Sequence, residues 1–259
     1  MVERDIDLKN LYQLVNEFDE LEARVYKTLE KIKNEEISIE DLKDEKFVSE
    51  KNLASFEDLT VYYLISHGRI ENKKPIRIPY NFAAMIGQLI LPKQLLEKTN
   101  VPLTILQEKD ERFAKEEIDK TIMRIKNILI KTKHIDENIL DYHLHKIIDR
   151  IRKAGYWAIK YGPDYIRVEL NKEIVNVKLS KEEKETIKKI INFLESLEYL
   201  DIEILQTEIH NIIKNHTNPK IFYKKLYRML LNKDRGPKIG SLIVAVGKEK
   251  ILNILRQYL

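Results

Sequence analysis

Six histidines are the first residues in this 259-residue chain from which chemistry could be asked. His143 and His145 have the look of a metal pair, but residues two apart on a helix point to different faces. His143 falls on an apolar stripe and reads as a core histidine. His67, His134, His210 and His216 have no acidic or histidine partner at a helical or turn spacing that would complete a site. The chain has no cysteine, which removes disulfides, zinc ribbons and thiol nucleophiles together. No glycine-rich phosphate loop occurs, so nucleotide binding has no support and no cofactor is expected in this chain. What remains is cationic. Arg228, Lys233, Arg235 and Lys238 surround a Gly236-Pro237 turn, with Lys225 just upstream and Arg152 farther back. Long cations of this kind reach backbone phosphates or stack on bases. Trp157, Tyr161, Tyr223 and Tyr227 are the aromatics nearest basic residues, although burial between helices is the commoner fate for each. For Arg228 a surface ion pair with Asp234 competes evenly with a phosphate contact.

The charge distribution supports a polyanionic partner for one half of the chain. The formal net charge is +4, but residues 1–119 carry 18 Lys and Arg against 25 Asp and Glu. Residues 120–259 carry 28 against 17, and the last 44 residues carry 10 against 2. A lysine-rich solvated surface would give the same count, so charge alone leaves both readings open. No run approaches the roughly 20 apolar residues of a membrane span, and the opening MVERDIDLKN is too polar for a signal peptide. A cytoplasmic protein is expected.

The elements that must position these residues are helices. Seven Gly and seven Pro leave little punctuation. Leu8, Leu11, Val15, Phe18, Val25, Leu29 and Ile32 recur at three- and four-residue steps, predicting a helix over 7–32 in which Glu22 interrupts the seam. Residues 33–58 read as a charged connector. A short apolar stretch, Leu59 to Ile65, ends at Ser66-His67-Gly68, and Pro75 and Pro79 break the chain before a helix bearing Phe82, Met85 and Ile86. Two helices are expected between Pro92 and Ile130, the second carrying Ile118, Ile122, Ile125 and Leu129. Asp136 is expected to cap the next helix, which Gly162-Pro163 stops. Tyr165 to Leu170 alternates and predicts at most a short extended piece. Ser180 with Glu183 forms a capping box, and Asn218-Pro219 supplies a cap and a first-turn proline. A short apolar helix over 241–246 and a final one after Gly247 close the chain. The expected class is all-α, with regions 1–75, 76–175 and 176–259 and a boundary near 171–179. Gly236 and Gly240 are expected to hold backbone angles that other residues dislike.

Lys178-Leu179-Ser180-Lys181-Glu182 resembles the KMSKS loop with which class I aminoacyl-tRNA synthetases hold ATP. Nothing upstream supplies the HIGH-type element such a loop faces, and Ser180 already has a sufficient role as a helix cap.

Lys224 to Ser241, followed by Val246-Gly247-Lys248-Glu249, resembles the end of archaeal-type class I lysyl-tRNA synthetases; a related pattern ends glutamyl-tRNA synthetases. Val15-Asn16-Glu17-Phe18-Asp19-Glu20-Leu21-Glu22 and Tyr156 to Leu170 favour the lysyl family and lie in its order. The resemblance implies a connector near the tRNA inner corner, a helical bundle and an α-helical cage that reads the anticodon. It implies tRNA as partner, rather than DNA or a membrane. The family's Rossmann catalytic domain, which would hold ATP, has no counterpart here. The chain thus reads as a truncated piece of such an enzyme, with that domain in cis, or as one half of a split enzyme, with the domain in trans. The equivalent region of a glutamyl-tRNA synthetase is the second reading within this class, and a free-standing helical interaction module derived from such an enzyme is the alternative from another class.

Overall fold

A computed structural model describes residues 7–71, 74–101, 105 and 115–259. Among them are twelve α-helices and no strand. The chain divides into two compact units, residues 1–80 and 81–259.

The first unit is built on α1 (Leu11–Lys33), with α2 (Glu45–Lys51) and α3 (Phe56–Ile65) folded against it. Residues 33–58 are therefore not a plain connector: Asp44 caps α2 by accepting from the Lys46 and Phe47 amides, and Asn52 ends it in the left-handed region. The charged composition hid a two-turn helix with a single buried residue, Val48. Ser55 and Asp58 close a capping box at the start of α3. Val25, Ala54 and Tyr62 form one core cluster, and Leu42, Val48 and Leu53 another.

Glu22 does not interrupt this core. It is buried at its centre, where the Tyr62 hydroxyl donates to Oε1 at 2.8 Å and the Arg77 guanidinium donates to both oxygens. A buried carboxylate is tolerable only when paired and hydrogen-bonded. Glu22 is both. Its hydrogen bond raises the Arg77 pKa above the usual guanidinium value. Burial first, then the carboxylate, pushes the Tyr62 hydroxyl far above the ordinary tyrosine range.

The second unit takes in α4 (Tyr80–Ile90) from its second residue, α5 (Lys93–Glu97), α6 (Lys115–Lys131) and α7 (Asp141–Lys160), with α5 packed on α7. The α4 and α7 backbones meet at two glycines. A Cβ on Gly87 would sit 2.6 Å from the Ile151 carbonyl and 2.8 Å from the Gly155 Cα. The expected stripe of α6 is buried throughout. Asp136 does not cap α7. The helix starts at Asp141 behind Leu140, without a side-chain cap, and the Asp136 carbonyl instead accepts from the Ile139 amide. His143 is half-exposed rather than in the core, packed edge-on against Tyr142 in the first turn.

The segment after α7 is irregular. Its backbone is fixed by Gln88, whose side chain accepts from the Val168 amide and donates to the Ile166 carbonyl. It makes no ladder, which is why the alternating pattern there is not a strand.

The remaining helices are α8 (Lys181–Ser196), α9 (Ile202–His216), α10 (Pro219–Leu231), α11 (Ile239–Val246) and α12 (Lys248–Arg256). Ser180 and Glu183 form the expected capping box, and Asn218 accepts from the Ile221 amide with Pro219 in the first turn. Ile187, Leu194, Leu205, Ile209, Ile213, Phe222, Met229 and Leu242 are fully buried between these helices. At roughly 1.5–3 kcal/mol for each large apolar side chain, this burial holds the bundle.

Candidate functional site

The basic turn follows directly from how α10 ends. Asn232 takes the left-handed conformation at the C-cap, and its amide donates to the Arg228 carbonyl. Asn171 covers the same end, its side chain donating to the Arg228 and Met229 carbonyls. Beyond Asn232 the chain doubles back over Tyr227, whose hydroxyl donates to the Pro237 carbonyl at 2.5 Å. Burial pushes the Tyr227 pKa up to about 12, so this hydroxyl remains a donor across the physiological range.

The two glycines of the turn serve close approach rather than unusual angles. Among the described residues the only glycines with positive φ are Gly68 and Gly247. A Cβ on Gly236 would lie 2.6 Å from the Tyr227 ring, and one on Gly240 would lie 2.6 Å from the Ile202 carbonyl. The Gly240 amide donates to the Gln206 side chain, tying the end of the turn to α9.

The structure separates the eight residues singled out in the sequence into three groups. Arg152 and Trp157 are buried, 1% and 3% exposed, and neither can meet an external ligand. The Arg152 guanidinium donates to the carbonyls of Leu95, Lys98 and Val101 and to Asp149. It caps the end of α5 and links that end to α7. Three carbonyls in a rigid fork suit arginine and not lysine.

A second group is exposed in part but already occupied. Lys225 lies 2.7 Å from both oxygens of Glu183, the buried carboxylate of the capping box. Lys233 bonds the Asp164 carbonyl and, at 3.0 Å, its carboxylate. Arg228 pairs with Asp234 at 2.6 Å, and Lys224 holds the other oxygen at 2.8 Å. The ion-pair reading of Arg228 is thus realised. These cations hold the Asp234 carboxyl below its usual range. Tyr161 stands edge-on to Tyr156, with the Lys160 ammonium 5.4 Å from its ring.

Arg235 and Lys238 form the third group. Both are exposed, and neither makes an ion pair among the described residues. They are the cations of the turn whose charge is not already met by a carboxylate. Surface ion pairs are weak and exchange with phosphate at modest cost, so Arg228 stays available at a penalty. Lys225 does not, because Glu183 would be left buried and unpaired.

One arrangement escaped sequence reasoning. His210 on α9 stacks on Tyr223 of α10 at 6.1 Å between ring centroids and 15° between planes. Tyr223 stacks on Tyr227 at 6.3 Å and 26°. The i,i+4 spacing of the two tyrosines is legible in the sequence; the histidine comes from another helix, and its separation from Tyr223 carries no periodic signal. Among the described residues no group of three metal-binding side chains occurs, and no helix is long and apolar enough to cross a membrane.

No family model matches the chain. It is 26% identical over 250 residues to the lysine–tRNA ligase of Methanocaldococcus jannaschii, a match covering 96% of this chain and 39% of that protein. With the lysine–tRNA ligase of Methanococcus maripaludis the identity is 27% over 256 residues, covering 96% and 40%. A shorter match, 28% over 137 residues, joins 52% of this chain to 26% of the lysine–tRNA ligase of Borreliella burgdorferi. The chain spans about two fifths of the length of the archaeal relatives.

Proposed function

We propose that this chain, related over nearly its whole length to a stretch of the archaeal lysine–tRNA ligases consistent with their C-terminal part, binds lysine tRNA and recognises its anticodon. The single observation that carries the reading is that match, 96% of this chain against 39% of the relative. The surface supports it. Arg235 and Lys238 stand free on a turn braced by Tyr227, and the last 44 residues carry 10 basic against 2 acidic side chains. Lysine activation with ATP is assigned to a catalytic domain supplied in cis or in trans, and the chain by itself activates nothing. It works in the cytoplasm, where tRNA is charged. The anticodon is assigned to the helices after residue 176, and the first unit to the connector near the tRNA inner corner.

The test is binding of purified chain to lysine tRNA and to the same tRNA with one anticodon base changed. Preference for the natural anticodon by about 1–3 kcal/mol, by analogy with duplex readout, is expected. Equal binding of both, or no binding, refutes anticodon recognition. Lysine-dependent pyrophosphate exchange by the chain alone would refute the assignment of chemistry elsewhere.

A second reading has one observation in its favour. On α3, in the acidic half, Val61, Tyr63, Leu64 and Ile65 are all about half exposed or more. Such an apolar face suits a protein partner. Protein capture by residues 1–80 without any tRNA binding by the whole chain would favour it.

A further inference from the structure

We propose that the exposed end of the His210–Tyr223–Tyr227 ring ladder is a platform on which one unpaired RNA base stacks, with Lys214 and Lys220 beside it for the flanking phosphates. The inference rests on the tRNA-binding reading and names the surface that performs it.

The ladder runs from the turn outward. Its inner rung, Tyr227, is fixed: the hydroxyl is held by the Pro237 carbonyl and the ring packs under Gly236. Tyr223 is half-buried, and the outer rung, His210, is exposed. The Tyr223 hydroxyl lies 3.4 Å from His210 Nδ1, and the imidazole plane lies 15° from that of the tyrosine ring. No further ring stacks on His210 among the described residues. An exposed aromatic face already stacked on a held ring is what a splayed base needs, because part of the entropy of ordering the protein side has already been spent.

The cations agree in position. Lys214 lies one helical turn beyond His210, and Lys220 lies three residues before Tyr223, so each shares a helix face with its rung. Both are exposed, and neither makes an ion pair among the described residues. Arg228, Lys225 and Lys233 near the other end are all paired with carboxylates. Arg235 and Lys238 stay free at the turn, and Lys214 and Lys220 add free positive charge where the exposed aromatic surface of His210 lies. The competing account is that the ladder only joins α9 to α10.

The experiment compares wild type, His210→Ala and His210→Phe for binding to the lysine tRNA anticodon stem-loop and to loops with one abasic position each. His210→Ala should lose about five- to hundredfold in affinity, the range of one base–aromatic stack. His210→Phe should keep it. One abasic loop should bind wild type and His210→Ala alike, and the salt dependence should be unchanged. If His210→Ala binds the intact loop as wild type does, or loses equally on every abasic loop, the platform is overturned while tRNA binding stands. If wild type binds no stem-loop, the function reading fails and the platform with it.

Discussion

Arg228 Nε lies 2.6 Å from Asp234 Oδ1, so the arginine that the sequence places at the centre of the basic turn is already answered by a carboxylate six residues on. Lys224 takes the other oxygen. One acidic side chain thereby masks two cations next to the two that are free.

Asp234→Asn should therefore strengthen RNA binding severalfold at low salt and steepen its salt dependence, since two cations are released and one repulsive charge is lost. Arg228→Ala should weaken binding less than Arg235→Ala. Filter-binding titrations at several salt concentrations check both; an Asp234→Asn variant that binds more weakly would contradict the masking. Because the Asp234 pKa is depressed, the pair is present above the ordinary aspartate value of 3.8 and is lost only as pH falls below it. Binding should not change through this group near neutrality.

Removing Arg152 should unfold rather than disarm. The guanidinium is buried, and three carbonyls and Asp149 depend on it. Arg152→Met should cost about 3–5 kcal/mol in urea unfolding, as for a broken buried pair. Arg152→Lys should recover less than half, because one ammonium cannot meet acceptors spread over a fork. A variant that keeps its stability but loses tRNA binding would restore Arg152 to the binding surface.

Glu22→Ala leaves the Tyr62 hydroxyl buried without its acceptor and Arg77 without its carboxylate. The loss should again be about 3–5 kcal/mol. Hydrogen exchange should show it first in Leu11–Lys33 and Phe56–Ile65. Unchanged protection there would mean that the pair carries no net stability.

The ring of His134 stacks on Phe82 at 4.4 Å, and burial lowers its pKa from 6.5. A depressed histidine is neutral in the folded chain, and the unfolded chain takes up the proton first. This contribution is present above about pH 6.5 and is lost as pH falls toward the lower folded value. The melting temperature should drop between about pH 7.5 and pH 5.5, and His134→Phe should reduce that drop. An equal drop in the variant would assign it to other groups.

What could be read in the sequence was what lies within one or two helical turns. The capping box at Ser180 and the Asn218-Pro219 start join residues three apart, as does the box at Ser55, inside the stretch whose charge reads as connector. The apolar stripes of α6, α8 and α10 lie as their periodicity predicts. Asp136 is not the cap because a good cap residue can equally open a turn, here closed by the Ile139 amide, with the helix starting only at Asp141. The residues that set the character of the site are joined over long separations. Arg152 serves carbonyls more than fifty residues back, Lys225 serves a carboxylate 42 residues back, and Glu22 finds Arg77 55 residues on. Periodicity carries no information on such partners. It therefore could not tell Lys225, which is spent on Glu183, from Arg235, which is free.

The most direct test of the account is the salt dependence of lysine tRNA binding by wild type, Arg235→Ala/Lys238→Ala and Tyr161→Ala. The account predicts a wild-type slope of log affinity against log salt several units negative, about −0.7 to −0.9 per phosphate contact. It predicts a shallower slope, by roughly one to two units, for the Arg235→Ala/Lys238→Ala double variant, with an unchanged melting temperature. Tyr161→Ala should keep the wild-type slope. A salt-insensitive interaction, or a double variant indistinguishable from wild type, would contradict the claim that this basic turn meets tRNA.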